Sequence, residues 1–190
     1  MALIDVKNEV LNCKKCSLWR TKKNPVFGEG PENADVMLIG EAPGRNEDET
    51  GRPFVGKAGR LLNDLLNEAG LSRNSVYITN IVKCRPPGNR DPMPFEIEMC
   101  SPYLDLQISI IKPRIIITLG RFSMSFIQRK FGLKEMPISK VHGMHFKIDT
   151  LFYHGYFVPM YHPAAGLYRG NIKEIMFKDW RTLKALLGDV

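Results

Sequence analysis

The stretch Leu38–Gly59, LIGEAPGRNEDETGRPFVGKAG, leaves a short apolar run, crosses a loop carrying Glu41, Glu47, Asp48 and Glu49, and enters a leucine-rich helical pattern. Strand, glycine-rich loop and helix in that order form a unit of α/β architecture. Three further runs resemble the first: SVYITNIV (75–82), RIIITLG (114–120) and YFVPMYH (156–162), beside DVMLIGE (35–41). They are short, apolar and rich in β-branched or aromatic residues, the signature of buried parallel strands. Helical patterns alternate with them. AGRLLNDLLNEAG (58–70) puts Leu61, Leu62, Leu65, Leu66 and Ala69 on one face and stops at Gly70, RFSMSFIQRKFG (121–132) closes on Gly132, and GNIKEIMFKDWRTLKALLG (170–188) is amphipathic. MPISKVHGMHFKI (136–148) predicts a small hairpin. The pattern predicts a three-layer α/β/α sandwich around a central four-stranded, mainly parallel sheet.

A chain of 190 residues, 44% apolar, is long enough for one core and short for two, so a single domain over 1–190 is expected. Lys and Arg total 27 against 20 Asp and Glu, a formal charge of +7, which suits a polyanionic partner without requiring one. The N-terminal MALIDVKNEVLNCKKC interrupts its apolar residues with Asp5, Lys7 and Glu9, and no apolar run reaches spanning length. A cytoplasmic protein without membrane contact is expected.

In open α/β sheets ligands bind beyond the carboxyl ends of the strands. The glycine loop leaves the first strand at that edge, the second strand delivers Asn80 there, and the last ends at His162 in YHPAAGL. Three polar groups therefore converge from three strands. GRPFVGKA (51–58) nearly matches the phosphate-cradling G-x-x-x-x-G-K-[ST], but Ala58 stands where the magnesium-holding hydroxyl belongs. The match also begins ten residues after the strand and carries Pro53, so a nucleotide hydrolase is disfavoured. A plain surface turn explains neither Phe54 in a polar loop nor the four acids.

Cys13 and Cys16 form a C-x-x-C, and Cys84 and Cys100 follow with fifteen residues between them. In a cytosolic setting such an even set argues for metal over disulfides. Cys-ligated zinc and a 4Fe-4S cluster both fit; the second pair lacks the knuckle spacing, which favours the cluster. Buried free cysteines are the plain alternative. The basic surroundings, KKCS and KCRPPGNR, suit a metal that staples cationic loops against a polyanion rather than one that does redox chemistry. A zinc nucleobase deaminase is excluded because the chain has no H-x-E.

GEAPGRNEDETGRPFVGKAG, TNIVKCRPPGNR and HPAAGL, with the four-cysteine spacing, resemble the family 4 uracil-DNA glycosylases of thermophilic bacteria and archaea, in order and over nearly the whole chain. The resemblance implies a 4Fe-4S cluster on Cys13, Cys16, Cys84 and Cys100, uracil-containing DNA, double- or single-stranded, as partner, and hydrolysis of the bond between uracil and deoxyribose by a monomer. It carries the first motif onto Gly40–Gly44, Glu47 and Asp48, with Gly40 and Ala42 against the substrate, the base-stacking aromatic onto Phe54, the uracil-reading amide onto Asn80, and the late histidine motif onto His162 and Pro163.

The implied chemistry is consistent with these residue types. A flipped base loses its stacking, which Phe54 can replace. The Asn80 amide can accept from uracil N3–H and donate to O4, an order that cytosine reverses. His162 is placed to donate to the oxygen that gains charge as uracil leaves. The best-known glycosylase branch has an aspartate where this chain has Ala42, so Glu41 and Glu47 are the carboxylates left to align water, and Glu47 is alternatively a block against the thymine methyl. Arg85, Asn89, Arg90 and Arg169 are candidate DNA contacts, and Leu167 or Tyr168 a candidate wedge into the base stack. A catalytically silent iron-sulfur protein that binds DNA shares every one of these features except turnover.

Overall fold

The computed structural model describes residues 2–189. Five strands, β1 (Val36–Gly40), β2 (Val76–Asn80), β3 (Ile115–Leu119), β4 (Phe146–Asp149) and β5 (His154–Met160), form one sheet in the order β2-β1-β3-β5-β4. The four strands expected from sequence run parallel to one another. Among the helices, α1 (Leu3–Leu11), α2 (Arg45–Thr50), α3 (Lys57–Glu68), α4 (Pro94–Ile111), α5 (Arg121–Lys130), α6 (Ile138–Val141), α7 (Pro163–Tyr168) and α8 (Gly170–Asp189), the longer ones pack on both faces.

Period-two alternation explains why both faces are covered. Met37, Ile39, Tyr77, Ile116 and Phe157 bury against α1, α4 and α5, including Val6, Leu104, Ile108 and Ile127. Val36, Leu38, Ile78, Ile117 and Val158 bury against Leu62, Leu65 and Leu66 of α3 and Met176 and Trp180 of α8. Every residue of β1, β2 and β3 is buried, as strands sandwiched between helical layers must be.

The structure differs from the sequence reading in three places. The segment 136–148 is not a hairpin: Pro137 caps α6, Gly143 takes a left-handed φ of 73°, and only Phe146–Asp149 is extended. That run pairs antiparallel with β5 and adds a fifth, edge strand. The acidic part of the opening loop forms α2, ended by Gly51 at φ 70°. The helices α1 and α4 were not expected. Pro102 lies inside α4, and although Cys100, Leu104, Ile108 and Ile111 form its buried stripe, further apolar residues such as the exposed Phe95 lie off that stripe and blur it in the sequence.

Candidate active site

The carboxyl ends of β1, β2 and β5 open onto a cleft of about 360 Å³. Glu41, Ala42, Pro43 and Gly44 line it from the loop after β1, Glu47 from α2, Phe54 from the turn before α3, Ala58 from the first turn of α3, Asn80 from β2, and His162 and Ala164 from the start of α7. The segment Pro86–Pro92 supplies the remaining wall through Pro86, Asn89, Arg90, Asp91 and Pro92.

Gly40 and Asn80 are register partners across β1 and β2. A Cβ on Gly40 would overlap Asn80 Oδ1 and come within 2.8 Å of the Phe54 ring, so glycine is what lets the amide and the ring meet. Asn80 is 2% exposed, and its Oδ1 has no hydrogen-bond partner among the described residues. A buried amide oxygen without a partner costs about 1–3 kcal/mol, which a ligand donor in the cleft would recover.

Phe54 adopts φ 52°, uncommon for a residue with a bulky side chain. Its backbone is pinned from two sides. Gly59 of α3 presses against its carbonyl, where a Cβ would overlap the oxygen. Arg73 donates from Nη1 to Phe54 O at 3.0 Å and from Nη2 to Pro53 O, while its Nε binds Glu29 Oε1 at 2.6 Å. The Phe54 and His162 rings lie 5.6 Å apart at 32°, adjoining walls rather than two sides of a slot.

His162 caps α7, its Nδ1 accepting from Ala164 N at 3.1 Å. That bond places the proton of the neutral ring on Nε2. Burial pushes its pKa down to about 4, against the opposing charge of Glu47. The ring is therefore neutral at physiological pH and remains a donor through Nε2–H.

The two candidate carboxylates are held differently. Glu47 Oε1 accepts from the N–H groups of Val55 (2.9 Å) and Gly56 (3.1 Å), tying α2 to the turn that carries Phe54. Glu41 Oε1 accepts from Phe122 N at 3.1 Å in the first turn of α5, and burial raises its pKa despite that bond. Asp48 faces away from the cleft; its buried Oδ1 accepts from Lys23 N and Asn24 N.

Among the expected DNA contacts, Arg85 Nε binds Asn89 Oδ1 at 2.7 Å, and the Arg90 guanidinium grips Glu96 through two bonds of 2.8 and 2.6 Å. These pairs brace the cleft wall. Leu167 (39% exposed), Tyr168 (86%) and Arg169 project from the end of α7. Arg73 and Lys83 carried no signal in the sequence: Arg73 works through the carbonyls of Pro53 and Phe54, and Lys83 through Thr79 Oγ1, the Asn80 carbonyl and Gln107 Oε1, sets of partners that only the fold completes.

Beside this site, Cys13, Cys16, Cys84 and Cys100 line one small pocket with Lys15, Lys83 and Tyr103. All four are free thiols. Burial pushes the Cys84 thiol up to about 12 and Cys100 to about 11. No three His, Cys, Asp or Glu groups among the described residues are arranged to hold a single metal ion. Four cysteine thiols on one pocket are a donor set of the chemistry that holds a 4Fe-4S cluster or a zinc ion. Lys83 N donates to Cys100 Sγ at 3.2 Å, the kind of hydrogen bond that tunes cluster sulfurs. The pocket adjoins the cleft: Ala42 packs with Leu18, Val82, Cys84 and Cys16.

Comparison with known proteins agrees with this geometry. Residues 27–184 match the family profile of the Uracil DNA glycosylase superfamily. The chain is 51% identical over 183 residues to the type-4 uracil-DNA glycosylase of Saccharolobus solfataricus, covering 96% of this chain and 85% of that protein. It is 45% identical over 187 residues to that of Archaeoglobus fulgidus, covering 98% and 94%, and 41% identical over 184 residues to that of Thermotoga maritima, covering 96% and 93%.

Proposed function

Because the chain belongs to the uracil DNA glycosylase superfamily, among the type-4 uracil-DNA glycosylases, we propose that its cleft excises uracil from DNA as a repair enzyme. The enzyme acts in the cytoplasm as a monomer, on double- or single-stranded DNA. The observation that supports this reading most is the buried, unpartnered Asn80 Oδ1 in the wall of a cleft that also holds a neutral histidine donor.

The uracil nucleotide is flipped into the cleft, at a cost of roughly a few kcal/mol that Phe54 stacking helps offset. Asn80 accepts from N3–H and donates to O4. The C1′–N1 bond then breaks, its electron pair leaving on uracil. His162 Nε2–H faces the oxygen where that charge gathers, and a neutral donor stabilises it without a proton being transferred. Of the two carboxylates, Glu47 is the one assigned to water: Oε1 is fixed by two backbone N–H groups and Oε2 has no such partner. The water oxygen adds to C1′ of the sugar cation, its proton passes to solvent, the uracil anion takes up a proton from solvent, and free uracil and an abasic site remain. Glu41 serves the site indirectly by holding the first turn of α5.

Cys13, Cys16, Cys84 and Cys100 would hold a 4Fe-4S cluster, which when bound cross-links the N-terminal segment, the loop after β2 and α4 as a structural staple. Arg85, Asn89, Arg90 and Arg169 position the phosphate backbone, and Leu167 or Tyr168 fills the gap left by the flipped base.

The experiment is incubation with oligonucleotides that differ only in one base, uracil, cytosine or thymine. Free uracil and an alkali-labile strand are expected from the first alone. Binding of the uracil strand without release would identify a silent DNA-binding protein instead.

A further inference from the structure

Lys83 is among the largest side chains that are wholly enclosed, at 1% exposure. Its ammonium spends all three donors on neutral acceptors: Thr79 Oγ1 at 2.7 Å, the Asn80 carbonyl at 2.7 Å and Gln107 Oε1 at 2.6 Å. Burying a lysine with no carboxylate is costly, and such groups are rarely kept enclosed unless paired. Its position suggests what this one does. The backbone N–H of the same residue donates to Cys100 Sγ, and the next residue is Cys84.

No hydrogen bond among the described residues fixes the side-chain oxygen of Asn80, so the orientation of the side chain depends on packing against Gly40 and on the backbone at residue 80. Lys83 Nζ holds that backbone by its carbonyl. Thr79 Oγ1 donates in turn to Phe27 O at 2.8 Å, and Gln107 Nε2 donates to Phe27 O at 2.9 Å and Tyr77 Oη at 3.0 Å, so the clamp is anchored on α4 and on the segment before β1. Resting on the reading of Asn80 as the uracil-binding amide, we propose that Lys83 is a positioning residue that joins the cysteine centre to Asn80 and sets the amide for the base. One residue thus touches the sulfur-lined pocket with its main chain and the base-reading strand with its side chain.

The test compares wild type with Lys83→Met, which keeps length and loses the donors, and with the milder Thr79→Val, which removes one acceptor. Three quantities are measured: inhibition by free uracil, affinity for DNA carrying an abasic site, and iron per chain. A misplaced amide should weaken uracil inhibition about tenfold in Lys83→Met and a few-fold in Thr79→Val, the worth of roughly one hydrogen bond. Abasic-DNA affinity should stay within about twofold, since phosphate contacts carry it. Iron should remain near four per chain, the stoichiometry of the cluster. Unchanged uracil inhibition in both variants would overturn the proposal. So would a loss of inhibition that only follows lost iron and lost DNA affinity, which marks a purely structural role. If Lys83→Met does not fold, Thr79→Val decides by the same criteria. Wild type that uracil does not inhibit would instead remove Asn80's base pocket, and the inference with it.

Discussion

At Asn80 and His162 the same physical device operates with opposite polarity. Asn80 presents a buried acceptor left open by the protein, and His162 presents a donor whose proton is fixed on Nε2 because Nδ1 already accepts from Ala164. Protonating His162 would set two N–H groups against each other, in addition to charging a poorly solvated, partly buried ring. Its folded pKa of about 4 lies below the ordinary 6.5, so the neutral ring's contribution to stability is complete above pH 6.5 and is lost as pH falls towards 4. Glu41 and Glu47 separate by the same kind of argument. Glu47→Gln keeps an acceptor for Val55 and Gly56 but removes the negative charge proposed to act on the water and on the sugar cation left when uracil departs, and single-turnover release should fall about a hundredfold. Glu41→Gln should stay within a few-fold of wild type, whereas Glu41→Ala, which strands Phe122 N–H, should lower stability by about 1 kcal/mol in denaturant unfolding. If Glu41→Gln were the slower of the two, the carboxylate roles would exchange.

Elements explain why much of this was legible and where legibility ended. β1, β2 and β3 read clearly because strands covered on both faces are continuous apolar runs, and the carboxyl ends of β1, β2 and β5 fix where Glu41, Asn80 and His162 meet. α4 did not read, since its apolar residues lie around much of its circumference and Pro102, which reads as a helix breaker, sits in its middle. The arginine clamp was equally hidden: Arg73 lies 19 residues beyond Phe54 and acts on carbonyls that every sequence has. Its role is nevertheless testable. Arg73→Met should free the positive-φ turn, weakening affinity for uracil-containing DNA about tenfold while abasic-DNA affinity changes little, because a loose Phe54 forfeits part of a stacking term of roughly 1–3 kcal/mol. Fluorescence anisotropy on the two DNAs measures both, and equal losses on each would assign Arg73 to general stability.

For the whole molecule, the fold gathers its chemistry on one edge of the sheet. The cysteine pocket, the cleft wall 86–92 and the end of α7 all lie near the strand ends, while the net charge of +7 attracts the polyanion without specifying it. No helix among the described residues is long and apolar enough to cross a membrane. Charge and composition thus set only a class of partner; the convergence of strand ends selects the reaction. In the proposed reaction this edge releases uracil because neutral His162 stabilises the departing charge. Single-turnover uracil release by wild type and His162→Ala, followed from pH 8 to 5, tests it most directly. Wild type should show no loss from this histidine across that range, and the variant should be slower by about 10² to 10³ throughout, the cost of one lost oxyanion donor. A variant that cleaves at the wild-type rate would contradict the account.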